Sequence, residues 1–146
     1  MPAYWSDSAA TTRAWGERLG RQLLGGEVVL LEGTLGAGKT VFAQGVGAAL
    51  GVRAPIVSPT FTLAVRYAGR LPLVHYDLYR VQHPDELREM GFLEADDPAT
   101  VALVEWGDRV PPPAGALRVC LKVEADDRRR ITVEGLDLDA VPESRP

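Results

Sequence analysis

Apolar residues fall along this chain in two rhythms, unbroken runs and strict alternation, and each predicts a different kind of strand. Residues 28–31 are four consecutive apolar positions between Glu27 and Glu32, as in a strand buried on both faces of a parallel sheet. Residues 101–104 form a second unbroken run that ends on Glu105 and Trp106. Elsewhere the pattern alternates: Phe61, Leu63, Val65 and Tyr67 oppose Thr62, Ala64 and Arg66. The turn Ala68-Gly69-Arg70 then leads into residues 71–77, which predicts a hairpin. Leu117, Val119, Leu121 and Val123 alternate in the same way, and after the polar tip the run at 130–133 predicts a closing antiparallel hairpin.

Helical spacing appears in two longer segments. Ser6, Asp7 and Ser8 can each cap a helix whose stripe is Thr12, Trp15, Leu19 and Leu23, with Gly25-Gly26 ending it. Residues 41–50 read as a second helix stopped by Gly51. Its Gly45 and Gly47 each cost about 1 kcal/mol relative to alanine, which implies close packing against the sheet. Pro84, followed by Asp85 and Glu86, starts a short helix that Gly91 ends. Pro59 holds Ser58 extended, and Pro111-Pro112-Pro113 is a stiff connector. The expectation is an α/β fold with central parallel strands flanked by antiparallel hairpins and helices packed on the sheet. Residues 1–135 are expected to form one domain, and residues 136–146, which lack periodicity, a loose tail.

The chemistry begins where the first buried strand meets the second helix. Residues 33–40 fit the phosphate-binding pattern G-x-x-x-x-G-K-T, which makes the fold P-loop NTPase-like. Gly33, Gly36 and Gly38 let the backbone wrap a phosphate closely, and the helix N-terminus adds its positive end. Lys39 supplies a point charge for the β- and γ-phosphates, and Thr40 a hydroxyl for Mg²⁺. A second strand should then end in an acid that serves the metal, and two qualify, ending at Asp77 and Glu105. The unbroken run before Glu105 suits a central strand and favours it for Mg²⁺. Asp77 is left to orient or deprotonate the attacking water, or to pair with a mobile loop. Thr60 stands between sheet and phosphate loop, where it serves either as a switch residue or as a turn threonine. His75 and His83 lack the spacing of a metal pair.

Composition narrows the classes. The chain has 146 residues, 46% hydrophobic and 25% charged, as a globular domain should be. A net charge of −4 gives no basic footprint for gripping RNA directly. Cys120 is the only cysteine, expected half-buried and inert, so neither an internal disulfide nor a cysteine metal cluster is available. The N-terminal residues do not read as a signal peptide, and no apolar run approaches spanning length, so the cytoplasm is expected. Without an Asn-Lys-x-Asp segment a GTPase is disfavoured. A small-molecule or nucleotide kinase needs an acceptor site and usually an arginine-bearing lid, and the cluster Arg128-Arg129-Arg130 falls at a turn instead. A nucleotide-sensing module that does not hydrolyse is the remaining alternative.

Four motifs in order resemble one family. They are Leu35-Gly36-Ala37-Gly38-Lys39-Thr40, Ser58-Pro59-Thr60-Phe61, His75-Tyr76-Asp77-Leu78-Tyr79-Arg80 and Val104-Glu105-Trp106. The chain is similar from about Thr12 to Arg130 to the bacterial tRNA threonylcarbamoyladenosine biosynthesis ATPase family TsaE, also called YjeE. The resemblance implies a small ATPase using ATP and Mg²⁺ that joins TsaB and TsaD in attaching threonylcarbamoyl to adenosine in tRNA, with the tRNA reached through the complex. It implies that Gly33, Leu35, Gly36, Ala37, Gly38 and Lys39 cradle the triphosphate, that Thr40 and Glu105 hold Mg²⁺, and that Asp77 is needed for hydrolysis. Thr60 falls in a switch-like segment. Thr12, otherwise a polar surface position, matches a threonine near the base, and Trp106 and Arg130 match residues near the nucleotide. Gly107-Asp108 departs from the family pattern, which often has proline and another acid there.

Overall fold

The fold was analysed in a computed structural model, which describes residues 2–34, 36–57 and 64–139. In chain order the elements are β1 (Ala3–Ser6), α1 (Ala9–Gln22), β2 (Val28–Gly33), α2 (Lys39–Ala49), β3 (Ala64–Tyr67), β4 (Leu73–Asp77), α3 (Pro84–Glu89), β5 (Val101–Glu105), a 3₁₀ turn (Gly107–Arg109), β6 (Leu117–Val123) and β7 (Arg129–Glu134). Among the described residues the strands form one sheet of seven, ordered β1-β7-β6-β2-β5-β4-β3. Strands β6, β2, β5 and β4 run parallel at the centre. Antiparallel partners close both sides, β3 against β4 on one and β7 then β1 beyond β6 on the other. This is the expected α/β architecture.

The unbroken apolar runs follow from burial on both faces. Val29 and Leu31 of β2 point into the layer under α1 and α2, while Leu30 points into a second cluster with Val74, Tyr76 and Val104. Every residue of β5 is buried. The second cluster is covered by residues from 78 to 116, including Phe92, whose ring meets Tyr76 edge-on. Strands β6, β7 and β1 turn their other face outward, so Trp5 is exposed and Cys120 is exposed rather than half-buried. Among the described residues no helix is long and apolar enough to cross a membrane.

Helix α1 starts at Ser8, whose hydroxyl accepts from Thr11 N at 3.1 Å. It crosses α2 at backbone contact. A Cβ at Gly16 would lie 2.2 Å from Phe42 O, and one at Gly45 would lie 2.0 Å from Arg13 O. The cost of Gly45 is therefore spent on the neighbouring helix, not on the sheet, which corrects the sequence expectation. Only Gly47 matches it in part, since its Cβ would strike Ile56 first and reach Leu73 of β4 at 3.8 Å.

Two further features differ from the sequence reading. Strand β1 was not expected; it is a four-residue edge strand whose Tyr4 and Ser6 point inward. Residues 136–139 are packed, not loose. Leu138 is 1% exposed, its N–H donates to Tyr4 Oη at 2.9 Å, and Tyr4 Oη donates to Asp137 Oδ1 at 2.8 Å. Gln22 Nε2 also donates to Asp137 O at 2.7 Å, so the folded unit extends past 135. Two inward positions, too few to show a period, are enough to anchor the segment.

Candidate functional site

The phosphate-loop segment leaves β2 and enters α2 with glycines where the backbone requires them. Gly36 and Gly38 have φ of 80° and 105°, and Gly38 serves as the N-cap of α2 without a side-chain cap. That leaves the positive end of the helix facing the loop. A Cβ at Gly33 would lie 2.6 Å from Leu121 O, so β6 also demands glycine there. Ala37, within the loop, is fully buried. Leu35 and Thr60 lie outside the described residues.

Lys39 is 5% exposed. Its Nζ donates to Gly33 O at 2.6 Å and Thr34 O at 2.9 Å, and lies 3.9 Å from the centre of the Trp106 ring. Burial pulls its pKa below the ordinary lysine value, against the opposing pull of Glu105, Asp77 and Asp108. The next residue, Thr40, donates its hydroxyl to Glu105, 3.1 Å from both Oε1 and Oε2. Glu105 is 3% exposed at the end of β5, and Asp77 is its register partner at the end of β4. Asp77 is half-buried, and its Oδ1 accepts from Tyr79 N at 2.9 Å. Burial, then the nearby charge of Glu105, holds its carboxyl above the ordinary range despite that hydrogen bond.

These groups line one cavity of about 410 Å³, bounded by Gly36, Gly38, Lys39, Thr40, Val41, Asp77, Tyr79, Glu105 and Trp106. Trp106 adopts a left-handed conformation, φ 61° and ψ 41°, which is costly for a residue with a side chain. It leans its ring on Tyr79 at 4.9 Å between centroids. Gly107 is buried against Leu30, where a Cβ would come within 2.6 Å.

A second cavity of about 190 Å³ lies on the other side of the loop, lined by Asp7, Ser8, Ala9, Thr12, Gly36, Ala37, Gly38, Val41, Asp127 and Arg129. Thr12 is there, but its hydroxyl is paired with Ser6 Oγ at 2.7 Å. A Cβ at Gly38 would meet its methyl at 3.5 Å. Arg130 is not among the lining residues; Arg129 is. Strand alternation sets this, since Arg129 shares a face with the buried Ile131 and Val133 while the Arg130 guanidinium lies on the outer face, 6.0 Å from the Trp5 ring centre.

Sequence reasoning gave no part to His75, which is fully buried with Nε2 2.5 Å from Glu105 Oε2. The available signal was parity, because His75 and Asp77 leave the same face of β4. Tyr79 and Arg129 were also missed as lining residues. The donors at Thr40 and Glu105 are hard oxygens, which suits Mg²⁺. Among the described residues no group of three or more His, Cys, Asp or Glu could hold a metal.

A mixed sheet with parallel central strands, a glycine-rich loop between β2 and α2, and acids at the ends of the adjacent parallel strands defines a P-loop NTPase-like fold. A sequence model of the threonylcarbamoyl adenosine biosynthesis protein TsaE matches residues 6–131, and the chain belongs to that family. It is 43% identical over 130 residues to the tRNA threonylcarbamoyladenosine biosynthesis protein TsaE of Treponema pallidum, covering 88% of this chain and 96% of that one. The protein of the same name in Bacillus subtilis is 42% identical over 110 residues, or 73% of this chain and 68% of that one. The crystal structure of Bacillus subtilis YdiB superimposes with a TM-score of 0.68 at 31% identity, covering 90% of this chain and 83% of that one.

Proposed function

We propose that this chain is a Mg²⁺-dependent ATPase that works with the proteins TsaB and TsaD to support threonylcarbamoyl transfer to adenosine in tRNA. The hydrolytic part rests on one observation: Lys39, Thr40, Glu105 and Asp77 converge on one cavity beside the phosphate loop. The pathway part rests on family membership and the names of the relatives. Lys39 and the loop N–H groups bind the β- and γ-phosphates, and Thr40 and Glu105 are the residues that would hold Mg²⁺. When bound, the ion would neutralise charge developing on the phosphate oxygens. Asp77 orients the attacking water and accepts its proton, and a carboxyl held above its ordinary range is the better acceptor.

The smaller cavity on the far side of the loop is where the base end of the nucleotide belongs, with Thr12 and Arg129 among its walls. With a net charge of −4, the chain reaches tRNA through its partners, in the cytoplasm. Among the described residues no arginine lines the larger cavity, which counts against a kinase lid.

The test is ATP hydrolysis by the purified chain, alone and with TsaB and TsaD, with Lys39→Ala as control. Turnover that depends on Lys39 and rises with the partners is expected. Turnover unchanged in Lys39→Ala would remove the phosphate-loop argument. Nucleotide binding without hydrolysis under any condition would favour the sensing module.

A further inference from the structure

The proposed chemistry gives His75 no role, yet this ring touches the acid at the centre of the site. It lies on β4 two residues before Asp77, fully buried, with Nε2 2.5 Å from Glu105 Oε2. Its Nδ1 is also buried and has no hydrogen-bond partner among the described residues. A buried polar atom left unpaired is uncommon and calls for a reason. An aliphatic side chain could occupy this interior without leaving one.

The contact selects the tautomer. With the proton on Nε2, the ring donates to the Glu105 carboxylate, and Nδ1 is a bare acceptor turned into the interior. With the proton on Nδ1, a buried donor would lack an acceptor, and the Nε2 lone pair would face a carboxylate oxygen. Of these two tautomers, only the first pairs the groups that are in contact. The same carboxylate accepts from Thr40 Oγ1, 3.1 Å from each oxygen, so His75 holds it from the core side and Thr40 meets it from the loop side.

We propose that His75 is a positioning residue, donating Nε2–H to Glu105 and fixing that carboxylate in the orientation a divalent cation requires. This rests on the reading of Thr40 and Glu105 as Mg²⁺ ligands. Residues behind metal-binding carboxylates set ligand orientation, and losing one typically weakens metal affinity by about 10- to 100-fold.

The test is calorimetric titration of a non-hydrolysable ATP analogue into the full chain, at graded Mg²⁺ and in EDTA. His75→Leu should raise the Mg²⁺ concentration needed for half-maximal enhancement of binding by about tenfold, with binding in EDTA unchanged. His75→Gln, whose amide reaches close to the Nε2 position, should recover most of the loss. In a long-range proton–nitrogen spectrum of the unmodified protein, the His75 ring, one of only two histidines in the chain, should carry a proton on Nε2. An Nδ1–H tautomer for His75 overturns the proposal, and so does wild-type Mg²⁺ dependence in folded His75→Leu. Glu105→Gln separates the two failures. If Glu105→Gln weakens the Mg²⁺ effect and His75→Leu does not, the positioning role alone falls. If Glu105→Gln has no effect, the metal reading falls and takes this inference with it.

Discussion

Replacing Gly45 by alanine sets helix propensity against packing, and the two predict opposite signs. In an isolated helix the change would stabilise by about 1 kcal/mol. Here the new Cβ would lie 2.0 Å from Arg13 O, and 2.9 Å from both Arg13 C and Glu17 N. All three are backbone atoms of α1, so no side chain can swing aside. Contacts of real Cβ atoms essentially never fall below 3.0 Å, so the helices must separate by about 1 Å. Overpacking of this kind costs about 1–3 kcal/mol, and an immovable obstacle belongs at or beyond the upper end. After the propensity gain, the net loss is about 2 kcal/mol. With an m-value of about 2 kcal/mol/M, the urea midpoint should fall by roughly 1 M at unchanged m. Nucleotide binding should weaken too, because α1 carries the Thr12 methyl that packs beside Gly38. A midpoint equal to or above wild type would refute the reasoning, since propensity alone would then suffice.

Asp77→Asn should raise the melting temperature near neutral pH while abolishing hydrolysis. The folded protein raises this carboxyl above its ordinary value of 3.8, by burial first and then by Glu105. Its contribution to stability is therefore fully present below that value and lost as pH rises through the folded value. Near neutrality the charged form is a net cost, which asparagine removes while still accepting from Tyr79 N. The advantage should shrink as pH is lowered toward 3.8, and a melting temperature at or below wild type near neutrality would contradict the sign. Leu138→Ala should cost roughly 2–3 kcal/mol in denaturant unfolding, as loss of a fully buried leucine does. A change indistinguishable from zero would mean that residues 136–139 behave as the loose tail that their sequence suggests.

What the sequence disclosed follows from how local each cause is. The phosphate loop and its flanking strand and helix could be read because glycine, lysine and threonine are dictated by one short segment. Strand β5 could be read because burial on both faces removes polar residues from it entirely. Strand β1 could not, since its four residues depend on pairing such as Ala3 with Thr132 across nearly the whole chain. The glycines of α2 announced a close approach but not to what. Gly45 faces α1 and Gly47 faces Ile56, a distinction that only the crossing geometry supplies. The arginine run at 128–130 was ambiguous for a related reason. Alternation says that neighbours diverge, but only the register of β7 says which one turns inward. His75 needed two facts at once, its shared face with Asp77 and the parallel register that sets Asp77 beside Glu105.

That register also means that the groups of the site cannot act independently. Among the described residues Lys39 already has three partners, the carbonyls of Gly33 and Thr34 and the indole face of Trp106. A phosphate competing for this ammonium therefore gains only the difference between its oxygens and those partners, less than the full strength of a charge-assisted hydrogen bond. Trp106 is held over Lys39 by a left-handed backbone immediately after Glu105, whose carboxylate is shared by Thr40 and His75. Moving the end of β5 thus changes the Lys39 environment and the Thr40–Glu105 contact together. Substitutions at Lys39, Glu105 and Trp106 share partners, so their effects should be treated as one coupled network, not summed as separate contributions.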